Sequence, residues 1–177
     1  TYLGDVAGSD FALSGAVGML DIIAALRWVR ENIGRFGGDP NLVTIFGQSG
    51  GGRKVATLMA MPGAKGLFHR AISMSGSSGT TVAEAGETEA YVDEFLRVLD
   101  IDKGQLDKLQ EIPAATLIEA RLAAMKVKRE GSRPIVDGRH LFSGPMTPPG
   151  LAQHASVPML MGTTGTEATF FLANDIR

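Results

Sequence analysis

Met19, Ile22, Ile23, Leu26, Val29 and Ile33 recur at three- and four-residue steps, with Arg27, Arg30 and Glu31 mostly between them. That spacing predicts one apolar face of a helix running from about Gly15. It should stop near Gly34, where Phe36, Gly37, Gly38, Asp39 and Pro40 form a turn. Residues 42–46, Leu-Val-Thr-Ile-Phe, are a short β-branched run between turn residues and predict a buried strand. After a run of Gly and Ser, residues 53–60 are mostly helix-tolerant and close at Pro62. Residues 71–74 predict a second strand. Residues 88–99, 105–112 and 115–128 have helical spacing, and in the last Ile118, Leu122 and Met125 share a face. Residues 131–150, rich in Pro and Gly, should be mostly irregular. Residues 157–162 predict a third strand, with Pro158 tolerable only near its start or at an edge. Helix alternating with strand points to an α/β fold with a parallel sheet.

At 177 residues the chain can bury a sizeable core as one domain. A formal charge of −2 gives no electrostatic reason to expect nucleic acid or an anionic membrane as partner. No apolar run nears the ~20 residues that cross a bilayer. With no cysteine, a disulfide framework, a thiolate zinc site and a Cys nucleophile are excluded. The first residue is Thr and residues 1–10 carry no leader pattern, so the expectation is a chain that starts mid-protein. Neither feature assigns a compartment.

Gly47-Gln48-Ser49-Gly50-Gly51 fits G-x-S-x-G, in which a serine occupies a strained turn between strand and helix. The pattern is common by chance in a Gly-rich chain; its setting, after a strand and before a helix, makes it specific. Gly47 and Gly51 leave room for strand and helix to meet, and the Ser49 hydroxyl is held at the carboxyl edge of the sheet. An ester carbonyl attacked there becomes an oxyanion, and the Gly50 N–H points where that charge develops. A glycine turn that only packs, or that cradles a phosphate, is the alternative. The phosphate reading needs G-x-G-x-x-G or a following Gly-Lys-Ser/Thr, and neither is present.

Leu20-Asp21, the run from Leu26 to Ile33, residues 36–40 and Val43 to Gly51 follow one another as they do in the type-B carboxylesterase/lipase family. Residues 59–62, 66–72, Ser75-Gly76, 134–138 and 157–163 continue the resemblance, nearest to bacterial members and weakest over 80–133. The family includes para-nitrobenzyl esterases, liver carboxylesterases and cholinesterases. The resemblance implies an α/β-hydrolase fold, of which residues 1–177 are the central part, with 80–133 a helical excursion over the sheet. It also implies a serine esterase that acts on small-molecule esters without metal or cofactor. By resemblance the triad acid falls on Glu167, with Asp175 and Asp137 as rivals; Asp137 reads better as a turn cap. Ser75 either supports Glu167 or caps a turn. Ala16 stands where the family has Asn, and Gln48 and Gly50 where many members have Glu and Ala.

In this fold class the base histidine follows the acid. His69, His140 and His154 all precede Glu167, so none is assigned as base. The resemblance puts the catalytic His and the upstream oxyanion-hole glycines outside this chain. The isolated 177 residues are therefore expected to be inactive and to fold poorly. A catalytically silent interaction domain is the alternative function; such domains typically lose the nucleophile, and Ser49 is present. Oligomeric state is not addressed by any of these residues.

Overall fold

The computed structural model describes residues 3, 11–76, 82–84, 86–127, 133–167 and 169–172. Helix α1, Val17–Asn32, runs into a 3₁₀ turn, Ile33–Phe36, closed by Gly37 at φ 83°. Strand β1, Thr44–Gln48, leads directly into α2, Gly50–Ala60; strand β2 is Arg70–Met74. Then come α3, Glu89–Val98, a 3₁₀ stretch, Lys103–Gln110, and α4, Ala114–Val127. The last described elements are the short α5, Pro148–Gln153, strand β3, Met159–Gly162, and α6, Thr169–Leu172. The three strands are parallel in the order β1-β2-β3, which agrees with the expected α/β class.

The core lies on one face of this sheet. Met19, Ile23 and Leu26 of α1 and Val55, Leu58 and Met59 of α2 pack with Phe68 and Ala71; Ile45 and Met159 pack against them. Phe68 is 1% exposed. Burying a side chain of that size stabilises the fold by about 1.5–3 kcal/mol. Removing a phenylalanine to alanine from such a site costs about 3–5 kcal/mol.

The structure departs from the pattern in three places. β1 starts two residues later than expected and is not buried, with Phe46 71% exposed. Register explains this: Phe46, Ile72 and Leu160 lie side by side on the face opposite α2, where no described element covers them. In α4 the buried positions are Ala120 and Ala124, while Ile118 and Leu122 point outward. Small side chains let α3 and α4 approach closely, so the stripe through residues 117, 120, 121 and 124 wins over the bulkier one. Residues 103–110 form 3₁₀ turns broken at Gln105 (φ −124°), not the expected helix. Together with α3 they enclose a second small cluster of Leu96, Ile101 and Leu106.

Pro158 precedes the first residue of β3, where its missing N–H costs nothing, and its carbonyl accepts from the Ala71 N–H. Among the described residues no helix is long and apolar enough to cross a membrane.

Candidate active site

Ser49 is the single residue between β1 and α2, at φ 53° and ψ −117°. This combination lies outside the regions that non-glycine residues favour and costs on the order of 1–3 kcal/mol. Two hydrogen bonds hold it. The Ser49 N–H donates to the Met74 carbonyl (2.8 Å), tying the turn to the end of β2. The Ser49 carbonyl accepts from the Arg53 N–H (3.0 Å), the first bond of the helix. Ser49 is exposed. Gly50, the first residue of α2, has no carbonyl four residues back within the helix to receive its N–H. That N–H therefore lies beside Ser49 at the positive end of the helix dipole.

The glycines divide their work differently from the sequence expectation. A Cβ on Gly47 would lie 2.3 Å from the Gly51 carbonyl carbon, so strand and helix meet there backbone to backbone. A Cβ on Gly51 would meet nothing within 4 Å, so Gly51 is small for the sake of neither space nor φ. A second contact was not anticipated. Gly52 and Gly76 touch, a Cβ on Gly76 falling 2.5 Å from the Gly52 carbonyl carbon. Between them the buried Ser73 hydroxyl donates to the Gly52 carbonyl (3.2 Å). α2 thus presses on β1 through Gly47 and on β2 through Gly52 and Gly76. Overpacking ordinarily costs about 1–3 kcal/mol, and here the obstacle is backbone that cannot rotate away. Gly47→Ala is expected to lower the denaturation midpoint sharply, while Gly51→Ala leaves it within about 1 kcal/mol; equal midpoints for the two would contradict this packing.

Glu167 lies in the turn after β3 and is partly buried. Three donors converge on its Oε2: the Thr164 N–H (2.8 Å), the Thr164 hydroxyl (2.9 Å) and the Ser75 hydroxyl (2.9 Å). The bond from the Thr164 N–H, then those from the Ser75 and Thr164 hydroxyls, hold the Glu167 carboxyl below the usual glutamate range. It is therefore ionised at neutral pH. With all three donors on Oε2, Oε1 is open to accept another. Ser75 itself has φ 52°, and its N–H donates to the Gly162 carbonyl at the end of β3 (2.8 Å). Ser49 and Glu167 are thus linked through consecutive strand ends: Ser49 to Met74, and Ser75 to Gly162 and Glu167. Thr164 escaped the sequence reading, although Thr164-Gly165-Thr166-Glu167 carries the T-x-x-E pattern in which a glutamate reaches back to an N–H.

The remaining candidates lie elsewhere. His69 Nδ1 accepts from the Val43 N–H (3.2 Å) at the amino end of the strands, opposite Ser49. His154 Nε2 contacts the Pro145 carbonyl (2.8 Å). His140 Nδ1 contacts Asp137 Oδ2 (2.9 Å), while Asp137 Oδ1 accepts the N–H groups of Arg139, His140 and Leu141. Burial works against ionisation of Asp137. The Leu141 backbone, the His140 side chain, then the His140 and Arg139 backbones outweigh it and lower the carboxyl to about 2. These bonds make Asp137 a turn cap. Asp175 falls outside the described residues. Among the described residues no cluster of His, Asp and Glu could hold a metal ion.

The sequence profile of the carboxylesterase family matches residues 2–177. Para-nitrobenzyl esterase from Bacillus subtilis (strain 168) is 43% identical over 170 residues, 93% of this chain and 34% of that protein. Carboxylesterase 1C from Rattus norvegicus is 37% identical over 150 residues, 81% of this chain and 26% of that protein. Among solved structures, the Geobacillus stearothermophilus carboxylesterase at pH 6.2 superposes with a TM-score of 0.86 at 38% identity, covering 98% of this chain and 36% of that one. A thermophilic PNB esterase gives 0.79 at 40% identity, with 87% and 32% covered. The chain thus spans about a third of the length of these proteins. Its parallel sheet flanked by helices is a partial segment of their α/β-hydrolase fold.

Proposed function

We propose, from the premise that this chain belongs to the type-B carboxylesterase family, that it carries the nucleophile and the acid of a serine esterase acting on small-molecule esters. One observation carries the reading. A strained, exposed serine and an ionised glutamate held by three hydrogen bonds stand at the carboxyl ends of β1 and β3, the two strands that flank β2, on the same edge of a parallel sheet.

In this account the Ser49 hydroxyl attacks the ester carbonyl, and a histidine supplied from outside these 177 residues takes its proton. The Gly50 N–H, with further amides, donates to the oxyanion. The histidine then protonates the departing alcohol, leaving an acyl group on Ser49 Oγ. Water, deprotonated by the same imidazole, attacks that acyl group and releases the acid. Glu167 Oε1 accepts the second imidazole N–H, while Ser75 and Thr164 hold Oε2. No step needs a metal or cofactor. The isolated 177 residues, lacking that imidazole, turn over no ester. Residues 1–177 form the central part of one α/β-hydrolase domain, with 80–133 as a helical excursion over the sheet. The silent interaction-domain alternative draws no support from matched proteins named as esterases.

The test is rapid mixing of 4-nitrophenyl acetate with the protein as its gene encodes it. Acylation faster than deacylation should release one equivalent of 4-nitrophenolate per protein in a burst. A linear trace under conditions where an acyl group can be trapped on a different residue would remove Ser49 from the role.

A further inference from the structure

Lys54 lies one helical turn beyond Gly50 on α2 and is exposed. Its side chain turns back, so that Nζ is 3.9 Å from where a Cβ on Gly50 would sit. A full positive charge therefore stands beside the first turn of α2, where the helix dipole is already positive. By itself that placement is unfavourable, and among the described residues no carboxylate pairs with Lys54.

The same lysine lines a cavity of about 380 Å³, together with Arg133 and the start of α1. The Arg133 guanidinium lies 3.7 Å from Glu87 and 3.5 Å from the Val82 carbonyl. The N-cap of α1 is Ala16, which offers no side-chain oxygen to the first N–H groups of the helix. Two cations and a helix start without a side-chain cap thus line one space, and Lys54 reaches from it towards Gly50. The space is large enough for a chain of a few carbons bearing a carboxylate.

We infer that Lys54 makes this site selective for esters that carry a negative charge, its ammonium pairing with a carboxylate on the substrate. The inference rests on Ser49 being the nucleophile. The carboxylate belongs to either the acyl or the alcohol side of the ester, and two substrates separate these. Mono-4-nitrophenyl glutarate carries it on the acyl side, 4-acetoxybenzoate on the alcohol side, and 4-nitrophenyl acetate is the neutral reference.

The measurement is the ratio of kcat/KM for each anionic ester to that for the neutral one, in the protein as its gene encodes it. This ratio does not depend on how much of a preparation is folded. In Lys54→Gln the ratio for one anionic ester should fall on the order of tenfold, the scale of a lost charge-assisted hydrogen bond. Lys54→Arg should retain it, and added salt should lower the wild-type ratio towards that of Lys54→Gln. The ester whose ratio falls locates the carboxylate. Ratios unchanged in Lys54→Gln for both anionic esters overturn the inference, including the case in which all three substrates slow equally. Ser49→Ala separates the two failures. If it still turns over the neutral ester, the nucleophile reading fails; if it is inactive and the ratios do not respond to Lys54, only the lysine inference fails.

Discussion

Ser49→Ala is expected to lower kcat for simple esters by about 10⁶, the scale on which removing the serine of a triad acts elsewhere. The loss is this large because the hydroxyl forms the covalent bond, and no neighbouring group can replace it. The main rival explanation for lost activity is misfolding, and backbone strain provides a control. Ser49 holds φ 53° and ψ −117° at a cost that glycine would not bear. Ser49→Gly should therefore be as inactive as Ser49→Ala yet more stable than the wild type, by about 1 kcal/mol. Denaturation midpoints beside turnover of 4-nitrophenyl acetate check both. An inactive Ser49→Gly that is also destabilised would mean that the turn is not strained as described.

The second large effect is at Glu167. Glu167→Gln is expected to reduce kcat on the order of 10⁴, as removal of a triad acid does. The glutamine oxygen can still accept from Ser75 and Thr164, so the turn after β3 keeps its shape and KM should change little. What is lost is the charge. An amide cannot balance an imidazolium, and its NH₂ would face an imidazole N–H, donor against donor. The wild-type pH profile offers a further check. The bonds from Thr164 and Ser75 lower the Glu167 pKa, so its carboxylate persists as pH falls through the ordinary glutamate range. Its contribution is present above that range and is lost only when pH drops through the lowered folded-state value. Histidine protonation, at higher pH, then sets the acid limb of activity. Near-normal turnover in Glu167→Gln, with loss in Asp175→Asn, would transfer the role to Asp175.

Much of this arrangement is legible in the sequence because it is local. A β-branched run, five residues of turn chemistry and a helix-tolerant stretch specify the turn at Ser49 without knowledge of any distant residue. Glu167 rests on family resemblance, since locally only the T-x-x-E spacing from Thr164 sets it apart from an ordinary loop carboxylate. The contacts that join the pieces are not local. Ser75 and Glu167 are 92 positions apart, and their hydrogen bond depends on β3 pairing with β2, a register that periodicity does not reveal. Gly52 and Gly76 likewise meet only because α2 packs against β2. In α4 two stripes competed, and the packing distance to α3 chose Ala120 and Ala124 over Ile118 and Leu122. Phe46 looked buried because a β-branched run reads as a core strand, whichever of its faces is covered. Lys54 gave no signal, because where a long side chain curls is set by the surface around it.

The most direct test of the central claim is to label the protein, as its gene encodes it, with a fluorophosphonate and locate the adduct by peptide mass spectrometry. An activated serine bonds to phosphorus, whereas ordinary hydroxyls remain unmodified at neutral pH. The account predicts one adduct per protein, on Ser49, and none in Ser49→Ala. An adduct on another residue, or labelling that persists in Ser49→Ala, would contradict it.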